Sequence, residues 1–266
     1  LNNKLILPSL ETNYDTITNV NSNINPKGNE IITWLMAVYN RKNIVSQTID
    51  SLLNQTNKNW KCIICDDGST DGSYEYIIDY IKDDKRFTVY KKNNEGYVKT
   101  CRFMNDKATT DVVAIIDSDD VLETKANEIL TRKFRKLKCS AIYSSYYLCD
   151  GELNIKKIIT PNKNNNLLIR NEFEHLRSWR KSCLSQGAFP NYINGAEDQD
   201  LAYRFEELGN QYIYVEKNPL VKFRRHNNSL MSTKNTHNES RKCHYISKIT
   251  AINRRFKDNL EDTINF

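Results

Sequence analysis

No apolar run in the 266-residue sequence approaches the roughly 20 residues that a helix needs to span a bilayer. The opening stretch Leu1 to Leu10 has no basic segment followed by an apolar core, so no secretory signal pattern is visible. A tight cysteine framework is missing too. The seven cysteines are an odd, scattered set, which fits reduced thiols in a cytosolic compartment. Cys62-x-x-Cys65 is the one suggestive spacing, but it lies inside the apolar run Cys62-Ile63-Ile64-Cys65 and no second Cys/His pair answers it. Two small buried hydrophobes are therefore expected there, not a zinc or redox site. The formal net charge of +6 is not gathered into a basic patch with aromatics, so no nucleic-acid partner is expected. Internal repeats and composition breaks are also absent.

What is present is an ordinary globular composition, 39% hydrophobic and rich in Ile, Leu, Tyr and Phe, of a length that suits one sizeable α/β domain. Residues 1–29 are rich in Asn, Thr and Ser and end in Asn25-Pro26-Lys27-Gly28, which reads as an extension before a domain that begins near residue 30. From there strands and helices alternate. Ile31 to Val38, Trp60 to Cys65, Phe87 to Tyr90 and Val112 to Ile116 have strand length and apolarity. Between them fall helices at Ile44 to Leu53, at Asp71 to Ile81 with Ser73 as N-cap and Ile77, Ile78 and Ile81 inward, and at Tyr97 to Asp106. Further strands are expected at Ala141 to Leu148, Lys156 to Ile159 and Leu220 to Phe223, with a helix from Asp198 to Leu208 closed by Gly209. Such alternation predicts a mostly parallel sheet covered on both faces. Ligands of such sheets sit beyond the carboxyl ends of the strands. The domain is expected to end near residue 232. In the tail 233–266, Tyr245, Ile249, Ile252 and Phe256 form one stripe, expected to pack onto the domain. A basic amphipathic helix in peripheral contact with a membrane is the alternative for this tail.

The chemistry-bearing residues fall at the predicted strand ends. Asp117-Ser118-Asp119-Asp120 follows the fourth strand, and its three carboxylates repel unless a cation or basic partner balances them. Mg2+ or Mn2+ takes such oxygen ligands and shares them with substrate phosphates. A plain helix N-cap by Asp119 or Asp120 is the competing reading. Tyr39-Asn40 follows the first strand and Asp66-Asp67-Gly68-Ser69 the second, where Asp67 also suits a turn.

Four segments occur in order: Met36-Ala37-Val38-Tyr39-Asn40, Cys65-Asp66-Asp67-Gly68-Ser69-Thr70-Asp71, Asn94-Glu95-Gly96 and Asp117-Ser118-Asp119-Asp120. Together they resemble the family 2 inverting glycosyltransferases, whose GT-A fold is a Rossmann-like, mostly parallel sheet flanked by helices. The resemblance implies a nucleotide-sugar donor, UDP-linked by preference, a glycan or glycoconjugate acceptor, and Mn2+ or Mg2+ as cofactor. It places Ala37 and Tyr39 in the base pocket, Asp67 on the base edge and Arg102 at the nucleotide. Asp117, Ser118 and Asp119 match the family's DXD motif, with Asp119 the metal ligand, Asp117 serving the nucleotide and Asp120 unassigned. Gly195-Ala196-Glu197-Asp198-Gln199-Asp200 resembles the Glu-Asp motif, which makes Asp198 the catalytic base and sets Glu197 beside the donor sugar or acceptor. Phe223-Arg224-Arg225-His226 resembles a Tyr-Arg-x-His segment and makes His226 a second metal ligand. Glu174-His175-Leu176-Arg177 resembles a His-x-Arg segment of chondroitin-polymerase-like members, which assigns His175 and Arg177 to donor sugar or acceptor. Alternatives are a binding module that keeps the donor without transferring it, and a nucleotidyltransferase. The second would need a Gly-rich phosphate loop near the first strand, which Met36 to Arg41 lacks.

Overall fold

The computed structural model describes residues 30–137, 139–161, 175–183, 196–207, 213–226 and 242–252. The extension 1–29, the expected boundary near 232, Gly209 and the tail beyond 252 lie outside the described residues.

Its first half repeats a strand-helix unit: β1 (Ile32–Val38), α1 (Val45–Leu53), β2 (Trp60–Asp67), α2 (Ser73–Ile81), β3 (Phe87–Lys92), α3 (Tyr97–Lys107) and β4 (Val112–Ile115). These strands pair in parallel in the order β3-β2-β1-β4. The chain therefore runs outward from β1 to β3, then crosses back to place β4 on the other side of β1. Two neighbouring strands that leave in opposite directions open a crevice at their carboxyl ends, where parallel α/β sheets bind ligands. That crevice lies between Val38 and Ile115.

Period-two alternation sorts the core into two layers. Ile32, Trp34, Met36 and Val38 of β1 join Cys62 and Ile64 on one face, under α1, α2 and α4 (Ala126–Lys136). Leu35, Ile63, Cys65, Val113 and Ile115 face the other way, toward α3, α5 (Glu197–Glu207) and the helix 242–252. A strand buried on both faces needs an unbroken apolar run, and that is what β1, β2 and β4 contain.

Beyond β4 the sheet continues through β9 (Ser178–Arg180), β6 (Ala141–Ser144) and β10 (Ile213–Glu216). Three residues of β9 run antiparallel to both β4 and β6. A second sheet has the order β5-β11-β7-β8, formed by β5 (Val121–Leu122), β11 (Val221–Arg224), β7 (Tyr146–Cys149) and β8 (Ile155–Ile159).

Several expectations are corrected. The single strand expected over 141–148 is two strands in two sheets, divided at Ser145, whose N–H and C=O bond to Glu216 and Leu220. β5, β9 and β10 were not expected. In α2 the N-cap is Gly72, because the Ser73 hydroxyl is already committed to the Arg41 N–H, and Asp71 receives the Ser73 N–H instead. Ile78 is 44% exposed, while Ile77 carries the inward face. The tail helix is turned opposite to expectation. Its small Ser247 and Ala251 are buried, whereas Tyr245 is 66% and Ile249 41% exposed. Small side chains one turn apart let a helix approach the body closely, which the bulky stripe would prevent. Among the described residues no helix is long and apolar enough to cross a membrane.

Candidate functional site

The crevice is built by loops that side chains lace together. After β1, Asn40 takes a left-handed conformation (φ 53°), which Asn tolerates better than most residues. Its N–H bonds to Ser69 Oγ at 2.9 Å and its Oδ1 receives the Thr70 N–H at 2.9 Å, while the Arg41 N–H reaches Ser73 Oγ at 2.8 Å. At the end of β2, Asp66 accepts the Ser69 N–H. Gly68 sits at φ +80°, and a Cβ there would come within 2.7 Å of the Asn94 nitrogen, so the turn requires glycine.

Asp67 closes the next loop. Its carboxylate accepts the N–H groups of Glu95 (3.0 Å) and Gly96 (2.9 Å) and pairs with Lys92 Nζ at 2.6 Å. Burial alone would raise its pKa, but the Lys92 ammonium and these N–H donors outweigh burial and hold it below the usual carboxylate range.

The acidic run turns tightly after β4, with the Asp120 N–H bonded to the Asp117 carbonyl at 3.1 Å. Each carboxylate has a different environment. Asp117 Oδ1 accepts the Tyr97 hydroxyl at 2.7 Å, and its Oδ2 accepts Arg177 Nη2 at 3.2 Å. His175 Nδ1 lies 4.0 Å from the same Oδ2. His175 itself stacks on Phe223 with 4.3 Å between ring centroids and meets Tyr146 edge-on. Burial, then the Arg177 charge, press the His175 pKa down to about 4, against the pull of Asp117, so the imidazole is neutral near pH 7. Asp120 is buried and accepts the Arg224 N–H at 2.9 Å. Burial and then the charges of Asp117 and Asp119 raise its pKa well above the usual carboxylate range. Asp119 faces the crevice, its Oδ2 lying 3.0 Å from His226 Nε2 and 3.4 Å from Arg41 Nε.

Strand direction explains these meetings. Because β9 runs against β4, the residues just before it, His175 and Arg177, arrive at the carboxyl end of β4. Because β11 runs against β5, its residues after Val221 travel back along the acidic run, so that Arg224 and His226 end beside Asp120 and Asp119. Arg224 fastens the assembly: Nε donates to the Asp119 carbonyl at 2.8 Å, Nη1 to the Gly151 carbonyl at 2.9 Å, and Nη2 to Gln47 Oε1.

The structure thus brings Asp117, Asp119, His175, Arg177 and His226 together, with the partly buried Ala37, the 47% exposed Tyr39 and Asp67 on adjoining strand ends. Ser118 is buried within the turn. Arg102 lies on α3 with its Nε 4.0 Å from Asp106, a helix-surface position. Asp198 is the second residue of α5 and accepts the Gln199 N–H at 2.8 Å. Glu197 opens that helix. Arg41, Lys92, Tyr97 and Arg224 had no role assigned from the sequence, although Arg41 and Tyr97 adjoin motifs and Arg224 lies within one.

Among the described residues, two groups could hold a cation. Asp117, Asp120 and His175 present ligand atoms within 4.8 Å of one another, but Arg177 and Tyr97 already engage Asp117. The Asp119 and His226 pair fits better. Its ligand atoms are 3.0 Å apart. Two neighbouring ligands, each about 2.1 Å from one octahedral ion, lie about 3 Å from each other.

Comparison with known proteins bears on the family and the fold. Residues 33–188 match the family described as glycosyl transferase family 2, and the chain belongs to that family. Among its relatives, glycosyltransferase GlyG of Streptococcus pneumoniae is 24% identical over 227 residues, covering 77% of this chain and 74% of that protein. Chondroitin synthase of Pasteurella multocida is 28% identical over 188 residues, covering 67% of this chain but 19% of that protein. The chain spans about half (54%) of an uncharacterized Haemophilus influenzae glycosyltransferase, to which it is 34% identical over 137 residues and half (50%) of its own length. The fold is that of S. aureus TarS 1-349, solved in complex with UDP-GlcNAc, at TM-score 0.65 and 16% identity, covering 85% of this chain and 72% of that one. The expected GT-A architecture, with its mostly parallel sheet flanked by helices, is therefore the one observed.

Proposed function

We propose that this chain transfers a sugar from a nucleoside-diphosphate donor to a hydroxyl group of a glycan or glycoconjugate acceptor, with inversion at the anomeric carbon. The observation that carries the reading is the convergence of Asp119 Oδ2 and His226 Nε2, 3.0 Å apart, at the mouth of the crevice between β1 and β4. The catalytic unit is proposed to run from residue 30 to about 232.

In this reading Tyr39 and Ala37 flank the base. Asp67, whose carboxylate is held in place by the Glu95 and Gly96 N–H groups and by Lys92, meets the base edge. A uridine base, whose ring N–H seeks an acceptor, suits that edge. Arg102 would reach the nucleotide, Asp117 and Ser118 the ribose, and Asp119 with His226 the cation. Mn2+ or Mg2+, when bound there, supplies Lewis-acid stabilisation of the departing diphosphate. His175, Arg177 and Glu197 border the donor sugar or acceptor. Neutral His175 is held stacked on Phe223 with Tyr146 edge-on to it, which suits a hydrogen bond more than charge balance.

Asp198 acts as general base. The acceptor oxygen forms its bond to the anomeric carbon and gives its proton to Asp198, while the bond to the diphosphate breaks and that group keeps the electron pair. Replacing Asp198 by Asn should leave Mn2+-supported binding of a nucleotide sugar intact and reduce transfer by about 10²- to 10⁴-fold. A screen of UDP- and GDP-sugars by calorimetry, followed by turnover on the best binder, tests this. Unchanged turnover in Asp198→Asn would remove the assignment. Donor binding that survives EDTA would remove the metal.

A further inference from the structure

Asp119 Oδ2 has two basic neighbours, and they differ in kind. His226 can remain beside a divalent cation by offering a neutral ring nitrogen. Arg41 cannot, because a guanidinium stays protonated and has no lone pair to give. Its Nε lies 3.4 Å from Asp119 Oδ2, with both side chains about one-sixth exposed (17% and 15%). A cation that binds Asp119 through this oxygen meets the guanidinium charge 3.4 Å away and competes with it for the carboxylate.

The loop that carries Arg41 is anchored. Its N–H is tied to Ser73 Oγ at 2.8 Å, and Asn40 before it is pinned by Ser69 and Thr70. Nη1 donates to the carbonyls of Tyr39 (3.2 Å) and Asn40 (3.1 Å). The backbone is thus fixed at the end of β1 by the Ser69, Thr70 and Ser73 contacts, and the far end of the side chain swings by giving up its two carbonyl bonds. The crevice it swings in is where a diphosphate bridged to the Asp119 cation would lie. A planar fork of donors suits two phosphate oxygens.

We propose that Arg41 is a two-state ligand of the donor site. Without metal it neutralises Asp119, and in the loaded site it leaves Asp119 to the cation and binds the donor's diphosphate. This rests on the donor-site reading above and adds to it a residue that both resists metal alone and favours metal together with diphosphate.

The test separates the two states by measuring Mn2+ alone and nucleoside diphosphate with Mn2+, using the 266-residue chain and its variants Arg41→Gln and Arg41→Lys. Free Mn2+ is read by electron paramagnetic resonance, and UDP and GDP binding at saturating Mn2+ by calorimetry. Arg41→Gln should bind Mn2+ alone about fivefold more tightly, the upper range for a partly exposed ion pair. It should bind the nucleoside diphosphate at least about tenfold more weakly, as expected on losing a charge-assisted contact. Arg41→Lys, which keeps the charge, should stay within about threefold of the parent chain for Mn2+ alone. A merely damaged site would weaken both affinities, so opposite signs are the signature. If Arg41→Gln binds Mn2+ alone no better than the parent chain, or binds nucleoside diphosphate equally well, the role of Arg41 is wrong while the donor site stands. If the parent chain binds neither nucleoside diphosphate with Mn2+, both readings fall.

Discussion

Replacing Arg224 by Met would test whether the acidic run is held in place from β11. Methionine keeps most of the apolar stem and removes every side-chain donor. The Arg224 side chain is buried, and it donates to the carbonyls of Asp119 and Gly151 and to Gln47 Oε1. Gln47 is exposed and can turn to water, so its loss costs little. The two carbonyls are part-buried, and each left unpaired costs about 1–3 kcal/mol. The guanidinium also offsets the repulsion among Asp117, Asp119 and Asp120. The expected loss is therefore about 3 kcal/mol, with the Arg224 N–H bond to Asp120 retained in the variant. Urea unfolding at pH 7 in EDTA, followed by circular dichroism, measures it. A change in midpoint at constant slope reports stability alone. Mn2+ affinity should fall as well, because the Asp119 backbone is no longer fixed. A loss under about 1 kcal/mol would refute the clamp, as would unchanged Mn2+ affinity.

Arg180→Met should destabilise the chain by about 3–5 kcal/mol. The buried guanidinium pairs with Glu30 (3.1 Å) and Asp111 (3.0 Å) and donates to the Phe134 carbonyl, so its removal strands the buried Glu30 carboxylate, while Asp111 keeps the Ser182 N–H; a urea midpoint close to that of the parent chain would contradict this. Asp67 has a folded pKa below its unfolded one, so its stabilisation is full above about pH 4 and lost as the pH falls further. Asp67→Asn should accordingly flatten the acid limb of the stability curve between pH 6 and pH 3, and parallel curves would disprove it. Asp120 has the opposite sign. Its folded pKa is raised, so its contribution is present at acid pH and lost as the pH rises through the folded value. Asp120→Asn, neutral throughout, should gain on the parent chain in thermal melts in EDTA as the pH goes from 4 to 8, whereas a constant gap would sink that account.

Local signals carried the first half of the fold. Strands β1 to β4 and helices α1 to α3 were expected within about two residues of their observed bounds, because two-faced burial demands long apolar runs and the helices keep an amphipathic period. The second half was less legible. β9 is three residues long and β5 two, too short for any period to show, and both exist only because neighbouring strands offer hydrogen-bonding edges. The strand expected over 141–148 failed for the same reason, since nothing in its composition marks the change of sheet at Ser145. In the tail the apolar stripe misled, because small Ser247 and Ala251 decide how closely that helix approaches the body.

The site divides along the same line. The sequence alone determined the acidic run, the Asp-Asp-Gly-Ser turn and the order of the motifs, because each depends on residue type at the end of a strand. Tertiary structure decided which groups face one another. Arg41 reaches Asp119 because β1 and β4 are neighbours that leave in opposite directions. His175 and Arg177 reach Asp117, and Arg224 and His226 reach Asp120 and Asp119, because two short strands run backwards. Three adjacent carboxylates are alike in sequence. Burial and basic neighbours make them different: Asp117 bonded to Arg177 and Tyr97, Asp119 open to the crevice beside His226 and Arg41, and Asp120 buried with its proton favoured.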